Sequence, residues 1–320
     1  MNKHIELHSH LGSLVNARDL WKLSKLQGLN IGIKNIKHFE SLIKGRKNET
    51  HSEYLSRFNL TQKIQSSPLA IMESVYLAVE SAYNDGLDGI EIRFNPMLRN
   101  KNGYFDLDSI IYHACQGLQK GISAFGIKAG LIISTDRTFT ADSSEILANK
   151  AMQYEGFGVI GFDCSGKIDG LDSIYRLGRA YESLSGSKIK KTIHTGEIAS
   201  DYVTEEFMYA IDVLGVDRIG HGIQYHNYPS ILSMIRDNGI CLEICPTSNV
   251  HTGVIDGMDK MKLILENFFI DNVKFTINTD GNVFLKTNIN KEVKELTKLG
   301  IDKDIIDFSI KNSHRYNFIK

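Results

Sequence analysis

The sequence predicts a single (β/α)8 barrel of the TIM type, with extra helices inserted after the first strand. Three observations predict it: eight short β-rich apolar runs, helical periodicity between them, and no compositional break that would separate domains. The 320 residues are 42% hydrophobic and 23% charged, a globular composition, and α/β barrels commonly run past about 200 residues as one domain. Only four prolines occur, and no Gly/Ser-rich linker, low-complexity tract or like-charge block interrupts the chain. Residues 1–320 are therefore read as one domain.

The first strand is Ile5 to His10, reading IELHSH. The next strand starts only at Gly89, and the intervening Leu11 to Asp88, 78 residues, is far longer than one crossover requires. That interval must hold extra helices near the barrel mouth, part of them acting as a lid. Its last part, Ile71 to Ala82, sets Ile71, Val75, Leu77, Ala78 and Ala82 at helical spacing. The later strands are Gly89 to Phe94, Ile127 to Ile133, Val159 to Asp163, Ile189 to His194, Val216 to His221, Ile240 to Ile244 and Val273 to Asn278. A helix over Met258 to Phe268, with Met261, Ile264, Leu265 and Phe268 on one face, precedes the last of them.

Lys and Arg number 37 against 38 Asp and Glu, so the net charge is -1, and the charges are scattered. Neither a nucleic acid nor an anionic membrane is the expected partner; a small molecule and water are. Cys115, Cys164, Cys241 and Cys245 form no CxxC pair and no regular spacing, which suits reduced thiols. The N-terminus lacks a basic n-region with an apolar h-region, and no run approaches the ~18 apolar residues of a membrane span. The expectation is a cytoplasmic protein whose mature form begins where the sequence does.

In such a barrel the chemistry sits at the C-terminal strand ends. Here those ends carry His8, His10, Arg93, Asp163, His194, His221, Glu243 and Asp280, where a packed core would supply valine and leucine. His8 and His10, at i and i+2, share one face of a strand about 7 Å apart, a gap that a metal can bridge. His194 in HTGE and Asp280 in INTDG end the fifth and eighth strands and join them around the barrel axis. Three imidazoles and one carboxylate suit one Zn2+ per chain with an open position for water, although Co2+, Mn2+ or Fe2+ accept the same ligands. Glu197, three residues past His194, is the natural general acid/base. His221 in RIGHG is a non-ligating histidine that can orient the nucleophile and stabilise charge.

Taken in order, the HxH of His8 and His10, HTGE, RIGHG, CPTSN (Cys245 to Asn249) and NTD (Asn278 to Asp280) resemble the adenosine deaminase family of the amidohydrolase superfamily. YLSRF (Tyr54 to Phe58), EIRFNP (Glu91 to Pro96) and GFDCSG (Gly161 to Gly166) extend the resemblance over nearly the whole chain. It implies that His8, His10, His194 and Asp280 bind zinc and that Glu197 protonates a ring nitrogen. It also implies that His221 and Asp280 position and deprotonate water, and that the Gly166 N–H contacts a second ring nitrogen. The implied reaction is hydrolytic deamination of an aminopurine, releasing ammonia.

Two positions depart from the family. A second aspartate that reads the purine N7 is replaced by Gly281, and in HSHLGS the acidic or amide residue that meets the ribose is missing before Gly12 and Ser13. Each lost buried hydrogen-bond partner costs about 1–3 kcal/mol, so plain adenosine should be a poor substrate unless Asn282, Ser13 or Asn249 substitutes. A modified or phosphorylated adenine nucleoside, free adenine or another amino-substituted ring is expected instead.

Arg93 and Arg137 follow strand runs and are candidates to hold an anionic group, although rim arginines more often pair with carboxylates. Tyr54, Leu55 and Phe58 at near-helical spacing either close over a base or belong to a core. A metal phosphoesterase also opens on HxH but wants a late DxH, where this chain has Asp280, Gly281 and Asn282; a binuclear amidohydrolase wants a bridging lysine where Asp163 stands. The HxE and PCxxC motifs of the other zinc deaminases are absent. A non-catalytic nucleoside-binding barrel would show degenerate ligands or a lost Glu197, and neither is seen.

Overall fold

The β-branched runs form eight parallel strands: β1 (Ile5–His10), β2 (Gly89–Phe94), β3 (Lys128–Asp136), β4 (Val159–Ser165), β5 (Lys190–Thr195), β6 (Arg218–His221), β7 (Cys241–Ile244) and β8 (Lys274–Ile277). The structure, a computed structural model, describes residues 3–46, 49–99, 106–167 and 170–319, with the side chain of His51 outside that set. Strands pair in chain order, every neighbour parallel, as βα units require. The ring closes just past β8, where Ser9 bridges Asp280. The Asp280 N–H donates to His8 O at 2.9 Å, and the Asn278 Oδ1 accepts from the Leu7 N–H at 3.1 Å. A side-chain amide thus replaces part of the ladder, and the closure fixes Asp280 directly against His8 and His10.

Strand limits differ from the expected ones where burial and pairing part company. Val216, Ile240 and Val273 are buried apolar residues that lie before their ladders start, so hydrophobicity runs ahead of the strand. β3 continues through Ser134, Thr135 and Asp136, which pair with Asp163, Cys164 and Ser165 at the barrel mouth despite their polarity.

Among its described residues the Leu11 to Asp88 interval folds into six helices, Leu11–Leu14, Ala17–Leu26, Ile36–Ile43, His51–Ser56, Phe58–Ile64 and Pro68–Asn84. Side-chain caps from Asn16 and Asn35, and the reciprocal capping box of Thr50 with Glu53, explain where three of them begin. The last is the crossover helix: Ser67 caps it, Pro68 opens it, and Ile71, Val75, Ala78, Val79 and Ala82 pack on the barrel. Leu77, expected on that face, instead joins a second cluster with Val15, Leu20, Leu23, Phe39, Ile43, Tyr54, Ile64 and Phe284. Phe284 follows β8, so this second core seats the insert over the barrel mouth. No described helix is long and apolar enough to cross a membrane.

Candidate active site

β1 aims both of its histidines into the barrel mouth, with ring centroids 5.5 Å apart. The His10 Nε2 lies 3.1 Å from His194 Nε2 and 3.3 Å from Asp280 Oδ1; His8 Nε2 lies 3.7 Å from the same oxygen. His8 Nε2 is buried without a hydrogen-bond partner among the described residues. These atoms form two overlapping triads, His8 with His10 and Asp280, and His8 with His194 and His221. A tetrahedral ion with ~2.0–2.1 Å bonds sets its donors roughly 3.3 Å apart, close to these separations. Three imidazole nitrogens, one of them an orphan, and one carboxylate oxygen therefore fit a borderline-soft divalent ion.

Carboxylates behind the rings orient them. Glu243 Oε2 is 2.7 Å from His8 Nδ1, and Asp163 Oδ1 is 3.1 Å from His194 Nδ1, which turns each Nε2 toward the cluster. Glu243 in turn takes Arg93 Nη2 at 2.7 Å and Arg218 Nε at 2.6 Å, and Arg218 Nη2 reaches Glu91 at 2.5 Å. Burial disfavours the Glu243 anion, but Arg93 and Arg218 outweigh it and hold its carboxyl well below the usual range. Asp163 is lowered in the same way, burial being overcome by His194 and Arg93.

Asp280 and His221 both adopt left-handed backbone, with φ of +59° and +60°. Such a conformation costs a non-glycine residue of order 1 kcal/mol and clusters at functional sites. It re-aims the two side chains inward at the strand ends. Asp280 Oδ2 accepts from Ser248 Oγ at 2.6 Å and from Tyr54 Oη at 3.1 Å, which leaves Oδ1 to face the histidines. Burial opposes its ionisation, yet His8, His10 and His221 hold its carboxyl well below the ordinary value. Burial pushes His221 down to about 4, so its ring is neutral at pH 7. Its Nδ1 is 3.1 Å from Asn249 Nδ2, and its Nε2 is 3.7 Å from Glu197 Oε1. Glu197 follows Gly196, whose φ of +61° and close seat on the Tyr225 ring, 2.6 Å from where a Cβ would stand, set the turn.

A cavity of about 390 Å3 opens onto this cluster and is lined by His10, His194, Glu197, His221 and Asp280. Gly166 also lines it, at φ +104° with the Asp136 carboxylate 2.7 Å from where a Cβ would stand. Tyr54, Leu55 and Phe58 reach it from the insert, so the stripe is cavity wall as well as core.

Three residues expected to touch substrate lie elsewhere. Ser13 is fully buried and spends its hydroxyl on the carbonyls of His10 and Asp280. Asn282 accepts from Thr279 Oγ1 and lines a separate cavity of about 980 Å3 between the insert and the crossover helix. Gly281 is covered by Tyr54, whose Oη would stand 2.0 Å from a Cβ there. Arg93 and Arg137 are not anion holders either: the first pairs with Glu243 and Asp163, the second with Glu206.

Sequence reasoning missed Asn95 and Arg99, which also line the cavity. Asn95 stands immediately after β2, and the strand-end rule would have found it. Arg99, four residues farther on, carries no such signal.

A family profile described as Adenosine deaminase matches residues 4–320. The chain is 28% identical over 296 residues to an adenosine deaminase of Vibrio vulnificus (strain YJ016), covering 92% of this chain and 87% of that one. It is likewise 28% identical over 300 residues to an adenosine deaminase of Clostridium botulinum (strain 657 / Type Ba4), covering 92% and 87%. Among solved structures it resembles adenine deaminase of Arthrobacter aurescens, with a TM-score of 0.88, 18% identity and coverage of 100% of this chain and 95% of that one. A zinc-bound amidohydrolase from Burkholderia ambifaria gives 0.86 at 19% identity, covering 100% and 86%. The N6-methyl-AMP deaminase of Arabidopsis thaliana gives 0.81 at 21% identity, covering 100% and 93%.

Proposed function

This chain belongs to the adenosine deaminase family, and from that premise we propose that it is a Zn2+-dependent hydrolytic deaminase of a 6-aminopurine. The observation that carries the reading is the convergence of His8, His10, His194 and Asp280, with His10 Nε2 3.1 Å from His194 Nε2 and 3.3 Å from Asp280 Oδ1 and His8 Nε2 3.7 Å from the same oxygen, beside Glu197 and His221. Those four residues would hold one ion. Bound there, it supplies Lewis-acid chemistry that makes water acidic enough to attack near neutral pH.

The remaining work belongs to the chain. Neutral His221, braced by Asn249, orients the attacking water and takes its proton with Asp280. Ser248 and Tyr54 hold one oxygen of Asp280, so the other keeps a fixed direction. Glu197 delivers a proton to the ring nitrogen beside the amino-bearing carbon, and the Gly166 N–H steadies the ring. The water oxygen ends on the ring carbon; one of its protons leaves with the ammonia, and the other restores the Glu197 acid that protonated the ring nitrogen. Leu55 and Phe58 cover the ring and exclude bulk water.

A 6-aminopurine is supported by the relatives, which include adenosine, adenine and N6-methyl-AMP deaminases. Gly281 and the shortened HSHLGS argue against plain adenosine as the preferred member of that class. The four cysteines are buried and unpaired, which suits a reducing cytoplasm.

Ammonia release from adenosine, deoxyadenosine, adenine and AMP, and methylamine release from N6-methyl-AMP, test the reading, with Glu197→Gln as the control. The substitution should lower kcat by about 10^2–10^4-fold while bound metal stays at one per chain. Undiminished turnover in that variant contradicts the role given to Glu197.

A further inference from the structure

Arg99 ends the short turn Met97–Arg99 after β2 and is only 2% exposed. Its Nη1 donates to Asn95 O at 2.9 Å and its Nη2 to Gln65 Oε1 at 3.3 Å, while Nε has no partner among the described residues. Arg93, Arg137 and Arg218, buried as deeply, each meet a carboxylate. Among the described residues no carboxylate pairs with Arg99. Burial pulls its guanidinium down to about 9, so it stays charged at neutral pH.

Asn95, 7% exposed, shows the matching deficit. Its Oδ1 accepts from the N–H groups of Met97 and Leu98 at 2.9 and 3.3 Å, which fixes the amide and leaves Nδ2 buried without an acceptor among the described residues. Asn95 and Arg99 line the same cavity as Glu197 and His194. Gln65, which receives Arg99, donates its own amide to Leu11 O at 3.2 Å, tying the cation to the residue after His10. The Phe94 ring supports the guanidinium from 5.4 Å.

Unsatisfied buried donors and an uncompensated buried charge are costly, and structures keep them where a ligand supplies the missing acceptor. Here the deficit is one-sided: the orphaned atoms are the N–H donors of Arg99 Nε and Asn95 Nδ2, beside a positive charge that no carboxylate among the described residues meets. A planar guanidinium beside an amide donor matches the oxygens of a phosphate. We propose that Asn95 and Arg99 form an anion subsite of the active cavity and that the substrate is a 6-aminopurine carrying a phosphate monoester. This rests on the deaminase reading above and names the substrate class within it.

Titration calorimetry on the zinc-loaded protein tests it without turnover, using inosine 5′-monophosphate and inosine as product-like probes and inorganic phosphate alone. The nucleotide should bind about 10- to 100-fold tighter than the nucleoside, and Arg99→Met should collapse that ratio toward one. Equal binding of the two by the unmodified protein overturns the proposal without any variant. So does a ratio that survives in a folded Arg99→Met protein. Binding of inorganic phosphate with no preference between the two probes marks a site for the free ion and also overturns it. If the nucleotide preference holds but no 6-aminopurine releases ammonia, the anion subsite stands and the deaminase reading falls.

Discussion

Tyr54 and Gly281 are coupled through the carboxylate of Asp280. The Tyr54 hydroxyl donates to Asp280 Oδ2 and occupies the space a Cβ at position 281 would need, 2.0 Å away. Gly281→Ala should therefore displace the tyrosine and destabilise the protein by about 1–3 kcal/mol. In a Tyr54→Phe background the nearest remaining ring atom is 3.0 Å away, so the same change should cost less. Denaturant midpoints for the two single variants and the double variant check this, and additive effects would contradict it. The loss of the second aspartate is visible in the sequence as Gly281. That a tyrosine 227 positions earlier covers it is not, because the contact depends on how the insert helix His51–Ser56 lands on the mouth. Arg99 was invisible for a similar reason. A lone arginine in a turn reads as surface, and its burial is decided by Gln65 and Phe94 in space.

The helix Ile289–Lys298 carries a buried carboxylate that should make stability depend on pH. Glu292 accepts from the Thr287 hydroxyl and the Thr247 N–H, but burial outweighs these bonds and pushes its carboxyl from 4.5 up to about 7. Folding therefore favours the protonated form. Its contribution is whole below the unfolded value near 4.5 and is lost as pH rises through 7. Glu292→Gln, which keeps both hydrogen bonds with the amide turned, should flatten that fall by up to about 3 kcal/mol. Melting temperatures of both proteins between pH 4.5 and 8 check it; parallel curves would contradict it. Elements of this kind were legible to different degrees. The strands were readable because β-rich apolar runs of five to seven residues mark barrel staves. Their first residues were not, because Val216, Ile240 and Val273 are as buried as the ladders they precede.

Across the whole molecule, the site draws on both ends of the chain: His8 and His10 on β1, His194 ending β5, and Asp280 just past β8. An ion held by all three segments would tie the closure of the barrel to metal binding. Chelation should lower the melting temperature by several degrees, and zinc should restore it. An unchanged melting temperature on complete metal removal would place any ion outside this cluster. The order of the histidine and carboxylate motifs along the chain marks these four residues as polar strand ends. The supporting layer was only half readable: Arg93, Asp163 and Glu243 stood out as polar strand ends, but their pairing beneath the rings required the closed barrel.

The most direct test of the deaminase assignment is ammonia release from a panel of 6-aminopurines, before chelation, after it, and after one equivalent of Zn2+ is returned. The account predicts turnover of at least one compound, lost on chelation and recovered with zinc. No turnover of any compound by protein carrying one zinc per chain would contradict it.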